Sequence, residues 1–147
     1  MKNLKIFLVD DDHMQLNLTV TFIKRVITQK VLVLPFDDLH SAIGEFSYKP
    51  DLIVTDYSFG DDTLSTEQFI KFARNKFPDA KIVVMSSNNN AELAVDLIKC
   101  GANEFIHKDG KALYKLEWMI KDTLHEINYR NRKSFFKIIK DFFVGLK

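Results

Sequence analysis

The sequence predicts a doubly wound α/β domain: a five-stranded parallel sheet in order 2-1-3-4-5, helices on both faces, and an extra C-terminal helix. Three observations predict it. The runs "KIFLV", "VLVLP", "DLIVT" and "KIVVM" are apolar on consecutive residues rather than alternating ones, the pattern of strands covered on both faces. Segments of helical period separate them, and alternation of strand with helix builds a parallel sheet. Five such units fit within the first 127 of 147 residues, which allows one domain with a sizeable core and an appendage.

Each element has its own signals. The first strand, "KIFLV", runs into Asp10, Asp11 and Asp12, and the helix after it repeats Leu16, Val20, Ile23 and Ile27 at helical spacing. "VLVLP" is the second strand. The third, "DLIVT", ends in Asp56; its helix opens at "STEQ", Ser65 to Gln68, which has capping-box spacing, and buries Phe69, Ile70 and Ala73. The fourth, "KIVVM", ends in Ser86 and Ser87, and its helix carries Leu93, Leu97 and Ile98 before Gly101 stops it. "NEFIH", around Phe105 and Ile106, is a weaker fifth strand suited to a sheet edge. A fifth helix carries Leu113, Leu116, Ile120, Leu124 and Ile127, after which "NYRNRKS" interrupts the apolar pattern. The expected division is a compact domain over 1–127 and a basic amphipathic helical extension over 128–147.

Composition excludes several classes. At 46% hydrophobic and 28% charged residues the chain is too apolar to stay disordered. The single cysteine, Cys100, rules out an internal disulfide and a thiolate metal cage, and suits a reducing compartment. No uncharged apolar stretch approaches the roughly 20 residues of a membrane span, and the first apolar run ends in acids instead of a cleavage site. A cytoplasmic protein is expected. The net charge of +1 divides unevenly: from Asn128 onward six basic residues face Asp141 alone, a net of +5, which leaves −4 for residues 1–127.

Parallel strands all end on one edge, where ligands of open α/β sheets bind. The residues just past the strands are Asp10 to Asp12, Asp56, Ser86 with Ser87, and Lys108. Taken singly, each has an ordinary explanation. Asp12 reads as the N-cap of the first helix, Asp56 as a turn cap, Ser86 as a loop hydroxyl and Lys108 as a solvated amine. Gathered on one rim they call for more. Carboxylates about 5 Å apart repel by about 3 kcal/mol at an effective dielectric near 20. A hard cation relieves this, and Mg²⁺ prefers carboxylate oxygens while leaving room for a phosphate oxygen. Asp10 and Asp11 then serve the metal, Asp56 is the candidate nucleophile that accepts a phosphoryl group, and Lys108 and Ser86 face its oxygens.

With "LVDDD", "PDLIVTD", "VVMSS" and "GANEFIHK" in this order, the sequence resembles the receiver domain of two-component response regulators over residues 3 to about 126. That family has the flavodoxin-like fold already predicted. The resemblance implies that Asp11 ligates Mg²⁺ directly, that the backbone carbonyl of Ser58 is a further ligand, and that Asp56 is phosphorylated. It implies that Ser86 moves toward the phosphoryl group while Phe105 changes rotamer, that Lys108 pairs with the phosphate, and that Ser58 and Asn88 tune dephosphorylation. The donor would be a sensor histidine kinase or a histidine phosphotransfer protein. The output would be contact with a downstream protein through the fourth helix, fifth strand and fifth helix. Such a protein is no enzyme toward outside substrates, catalysing only its own phosphorylation and dephosphorylation. Two departures stand out: the loop "YSFGDDTLS" is longer and more acidic than usual, and Asp109 replaces the family's proline, so a trans peptide is expected after Lys108. Because of them the alternative function is a receiver-like interaction module that takes no phosphate. A flavodoxin-like electron carrier fails because acids stand where that fold needs phosphate-binding hydroxyls and amides.

The end of the chain, "SFFKIIKDFFVGLK", sets Phe135, Phe136, Ile139, Phe142, Phe143 and Leu146 on a broad apolar helical stripe. Its readings are a sixth helix packed back on the domain, a homodimer contact between tails, or a basic amphipathic helix at an anionic membrane surface or in a partner's groove; packing and dimerisation weigh equally, with membrane binding behind them, and a membrane partner is not expected. No DNA-reading module is visible, and no sequence-specific nucleic-acid binding is expected.

Overall fold

The computed structural model of the chain describes residues 3–57 and 63–146. Five strands, β1 (Leu4–Val9), β2 (Val31–Phe36), β3 (Leu52–Asp56), β4 (Lys81–Ser86) and β5 (Glu104–His107), form one sheet in order β2-β1-β3-β4-β5. All neighbouring pairs are parallel. Between them run α1 (His13–Val26), α2 (Leu39–Gly44), α3 (Thr66–Lys76) and α4 (Ala91–Cys100), and α5 (Ala112–Gly145) follows β5. A short 3₁₀ turn at Phe46–Tyr48 leads into β3.

The consecutive apolar residues of β1, β3 and β4 are buried on both faces because helices cover both sides of the sheet. On one side Leu16 and Ile23 of α1 and Leu116 and Ile120 of α5 pack on Ile6, Leu52 and Val83. On the other, Leu39, Phe69, Ile70 and Leu97 pack on Phe7, Ile53 and Ile82. β2 differs from the two-sided burial expected of it: it is an edge strand, half-buried, with Leu32 exposed, and Pro35 is tolerated there. β5 is the opposite edge, short and partly exposed as its sequence predicts.

The punctuation residues act as their chemistry requires. Ser65 and Gln68 form a reciprocal capping box at α3, and Gly101 ends α4 at φ +123°, a conformation a side chain would strain. A Cβ on Gly101 would also lie 2.9 Å from Arg74. Arg74 ties three segments together. Its guanidinium donates to the carbonyls of Gly101 (2.9 and 3.0 Å), Ala80 (2.6 Å) and Pro78 (2.9 Å), and to Asn103 Oδ1 (2.6 Å). Charged hydrogen bonds of this kind are worth about 1.5–3 kcal/mol each when a partner is lost, with water taking over the exposed ones. Arg74→Ala is therefore expected to destabilise the fold by about 2–3 kcal/mol, read as a lower urea midpoint at unchanged slope.

The C-terminal helical segment is present, but as the second half of α5. "NYRNRKS" contains neither glycine nor proline, so the lapse in apolar residues marks where the helix leaves the domain, not where it stops. Leu124 is the last buried residue and Ile127 packs partly on the core. Beyond it Phe135, Phe136, Phe142, Phe143 and Leu146 are 60–68% exposed. Among the described residues no sixth helix folds back on the domain.

Candidate functional site

Strand register brings the chemistry-bearing residues to one rim. Val9 pairs with Phe36 and Thr55, Asp56 with Met85, and Ser86 with His107, so the chain leaves β1, β3, β4 and β5 at one level. Asp10, Asp56, Ser86 and Lys108 follow from that alignment, at the crevice beside β1 and β3 where strand order reverses. A cleft of about 180 Å³ lies there, lined by Asp10, Gln15, Thr19, Asp56, Met85 and Lys108 among others.

The three acids after β1 have separate tasks. Asp12 is the N-cap of α1, its Oδ1 accepting from the backbone N–H groups of Met14 (3.0 Å) and Gln15 (3.2 Å). Asp10 turns inward and is buried; its Oδ1 accepts from the N–H of Asp12 at 2.9 Å, and its Oδ2 from Lys108 Nζ at 3.2 Å. Asp11 stands at the exposed side. One carboxylate oxygen from each of Asp10, Asp11 and Asp56 lies within 4.8 Å of the others.

Asp56 ends β3, 9% exposed, and pairs with Lys108 Nζ at 2.8 Å. Burial raises its carboxyl above the ordinary carboxylate range, because desolvation costs the charge more than the hydrogen bond and charge of Lys108 offset; Asp10 pushes the same way. For Lys108, burial acts downward, but the hydrogen bonds and charges of Asp56 and Asp10 together outweigh it and the ammonium is held above its usual range. Lys108 is thus a fixed cation between two carboxylates.

Its placement survives the loss of the proline. No cis peptide bond occurs among the described residues. The Lys108 N–H donates to the Ser86 carbonyl at 2.8 Å, while Asp109 turns the chain, donating from its N–H to the His107 carbonyl (2.9 Å) and accepting from the Lys111 N–H (2.8 Å). Ser86 is 3% exposed and its Oγ accepts from the Asn88 N–H at 3.0 Å. Phe105, opposite Val84 in the register, is half-buried against the core on the α4 side. Ser58 lies outside the described residues, as does the acidic loop segment 58–62.

Two supports escaped sequence reasoning. Thr66 Oγ1 donates to the Tyr57 carbonyl at 2.9 Å, and Tyr57 Oη to Glu67 at 3.1 Å, which anchors the residue after Asp56 to the start of α3. His107 Nε2 lies 3.1 Å from the Ser87 carbonyl, linking the loops after β4 and β5. Thr66 and Glu67 were legible as first-turn residues of α3, but their partnership with Tyr57 is tertiary and leaves no periodic trace.

Comparison with known proteins gives the fold and site a family. The signal receiver domain of a putative Luxo repressor protein from Vibrio parahaemolyticus superposes with TM-score 0.75 at 21% identity, covering 88% of this chain and 96% of that one. A CheY-like response regulator receiver domain protein from Methanospirillum hungatei JF-1 gives 0.73 at 17%, covering 87% and 99%. The BeF3-activated receiver domain of DrrB, a Thermotoga maritima protein, gives 0.73 at 17%, covering 84% and 99%. At these identities the likeness is one of fold. No curated protein matches the sequence. The family model described as the response regulator receiver domain matches residues 6–117, a span that runs from β1 into α5 and holds Asp10, Asp11, Asp56, Ser86 and Lys108. The chain belongs to the receiver-domain family of response regulators.

Proposed function

We propose that this chain is a phosphoacceptor, taking a phosphoryl group onto Asp56 from a phosphohistidine of a sensor histidine kinase or a histidine phosphotransfer protein, and signalling through contact with a downstream protein. The observation that carries this reading is the position of Lys108, 2.8 Å from Asp56 and 3.2 Å from Asp10, beside the acid trio. In the transfer a carboxylate oxygen of Asp56 attacks phosphorus, the phosphorus–nitrogen bond breaks, and the donor imidazole keeps the electron pair. Lys108 holds positive charge where the phosphoryl oxygens arrive, and the Ser86 hydroxyl can turn from Asn88 to donate to one of them.

Three carboxylate oxygens within 4.8 Å, with no sulfur or imidazole among them, are a donor set for a hard dication, and Mg²⁺ fits it. Asp10, Asp11 and Asp56 would hold the ion, with the Ser58 carbonyl as the further ligand that the family resemblance adds. When bound, Mg²⁺ supplies charge that neutralises phosphoryl oxygens. Burial shifts the Asp56 carboxyl upward, so protons compete for this site at a higher pH than for an ordinary aspartate. Mg²⁺ affinity is accordingly expected to weaken as pH falls through the acidic range, measured by calorimetric titration at a series of pH values, and Asp56→Asn should flatten the upper part of that profile.

The chain turns over no external substrate in this reading; Ser58 and Asn88 set the lifetime of its own phosphoryl group. The rival, a receiver-like module that takes no phosphate, draws its support from Asp109 and from the acidic loop, whose residues 58–62 lie outside the described ones; against the first, Lys108 reaches Asp56 with Asp109 in place. Added charge on Asp56 draws Ser86 inward and lets Phe105 fill the vacated space, changing the surface of α4, β5 and α5. With Mg²⁺ and beryllofluoride, amide NMR shifts are expected to move across Ala91–Cys100 and Glu104–His107; an unmoved spectrum over those residues would favour the inert module.

A further inference from the structure

The second half of α5 stands clear of the domain with a distinct apolar face. Successive residues of an α-helix turn by about 100°, which places Phe135, Phe136, Ile139, Phe142, Phe143 and Leu146, together with Ile138, on an arc of about 160°. Lys133, Lys137 and Lys140 fall on the opposite arc, beside the single apolar residue Val144, with Asp141 the only acid from Asn128 onward in the sequence. The described apolar residues of that arc are 60–68% exposed except the partly covered Ile139. The helix needs no partner to form. Its first half is packed on the sheet, so the nucleation that makes short isolated helices marginal is already complete.

We propose that this extension is an anchor that lies flat on an anionic lipid surface. Charge complementarity chooses that occupant. A second copy would bring another +5 against the same +5, and its seam would be short: positions one heptad before Phe135 and Ile139 are Asn128 and Arg132, so apolar residues cover barely two heptads. An arc of about 160° is also wider than a two-stranded seam needs and suits a plane, with lysine stems reaching over the edge of the arc to the headgroups. No helix among the described residues is long and apolar enough to cross a membrane, so the helix rests on the surface. The domain's net −4 keeps it off that surface and leaves the rim with Asp56 open to partners. Sequence alone puts a membrane behind a packed-back helix and a tail dimer; the exposed face of α5 removes the first of these and reverses that order. The inference is independent of whether Asp56 is phosphorylated.

The test is co-sedimentation of the full chain with vesicles. Retention is expected on mixed phosphatidylglycerol and phosphatidylcholine vesicles, little on phosphatidylcholine alone, and loss as salt is raised. Replacing Phe136→Ser and Phe143→Ser together should cut retention by about tenfold or more, while the far-ultraviolet spectrum and thermal midpoint of the domain stay unchanged. Lys137→Glu with Lys140→Glu should abolish the preference for anionic lipid. Retention that survives the phenylalanine changes, equal retention on both vesicle types, or no retention at all would overturn the proposal. In the last case, a dimer by analytical ultracentrifugation that the same phenylalanine changes dissolve would give the face to a second copy, and a monomer would leave it to a protein groove.

Discussion

Asp56→Asn is expected to lower phosphoryl uptake from acetyl phosphate at least about 10³-fold, to background, because it removes the attacking oxygen and leaves an amide of the same shape. No second carboxylate takes over: Asp10 is engaged by the Asp12 N–H and by Lys108, and Asp11 stands at the exposed side. The same change should not weaken the fold at neutral pH. A carboxyl whose folded pKa is raised contributes stability that is fully present below its unfolded pKa and is lost as pH rises through the folded value. Asp56 is in that position because burial penalises its charge. Asparagine removes the penalty, so the variant is expected to be at least as stable as the natural chain near neutrality. Its advantage should appear as pH climbs out of the acidic range. Thermal unfolding of both proteins across that range checks the sign; a variant that is less stable at neutral pH and equal in acid would mean that pairing with Lys108, not burial, dominates.

Lys108→Met has two consequences of opposite sign. Without the ammonium, nothing from β5 faces the phosphoryl oxygens, and the rate of phosphorylation should fall about 10²-fold, the usual loss when one preorganised positive group is removed. Affinity for Mg²⁺ should rise instead. Lys108 Nζ sits within 3.2 Å of two carboxylates that the dication needs and competes with it for them. Oxygens up to 4.8 Å apart also repel by about 3 kcal/mol at an effective dielectric near 20 once the lysine is gone, and the metal relieves this. Calorimetry and a phosphorylation time course on the same preparation read both effects. A fall in both quantities would show instead that Lys108 chiefly holds the carboxylates in position.

Much of this site was legible because a parallel sheet converts sequence into place. Consecutive apolar residues identify the strands, parallel register aligns their ends, and so Asp10, Asp56, Ser86 and Lys108 share one rim although the first and last lie 98 residues apart. Local signals with a fixed period or spacing were equally readable: Asp12 as a cap, the Ser65–Gln68 box, Gly101 as a stop. Features that depend on the third dimension were not. The half-exposed β2 follows from its place at the edge, which its apolar run does not reveal. Arg74 reads as one more surface cation, yet its guanidinium gathers carbonyls from two loops, at Pro78 and Ala80 and at Gly101. The lapse at "NYRNRKS" looks like a helix end because the apolar period fails there. A helix that has left its domain keeps its backbone bonds and loses only the need for that period.

The account rests on an acid cluster that needs a dication and an Asp56 able to attack phosphorus, and intact-mass spectrometry of the natural chain with acetyl phosphate tests both at once. With Mg²⁺ present the chain should gain about 80 daltons, on the peptide containing Asp56, and with a chelator it should gain nothing. An unchanged mass in both conditions, or an adduct that forms as readily without Mg²⁺, would contradict it.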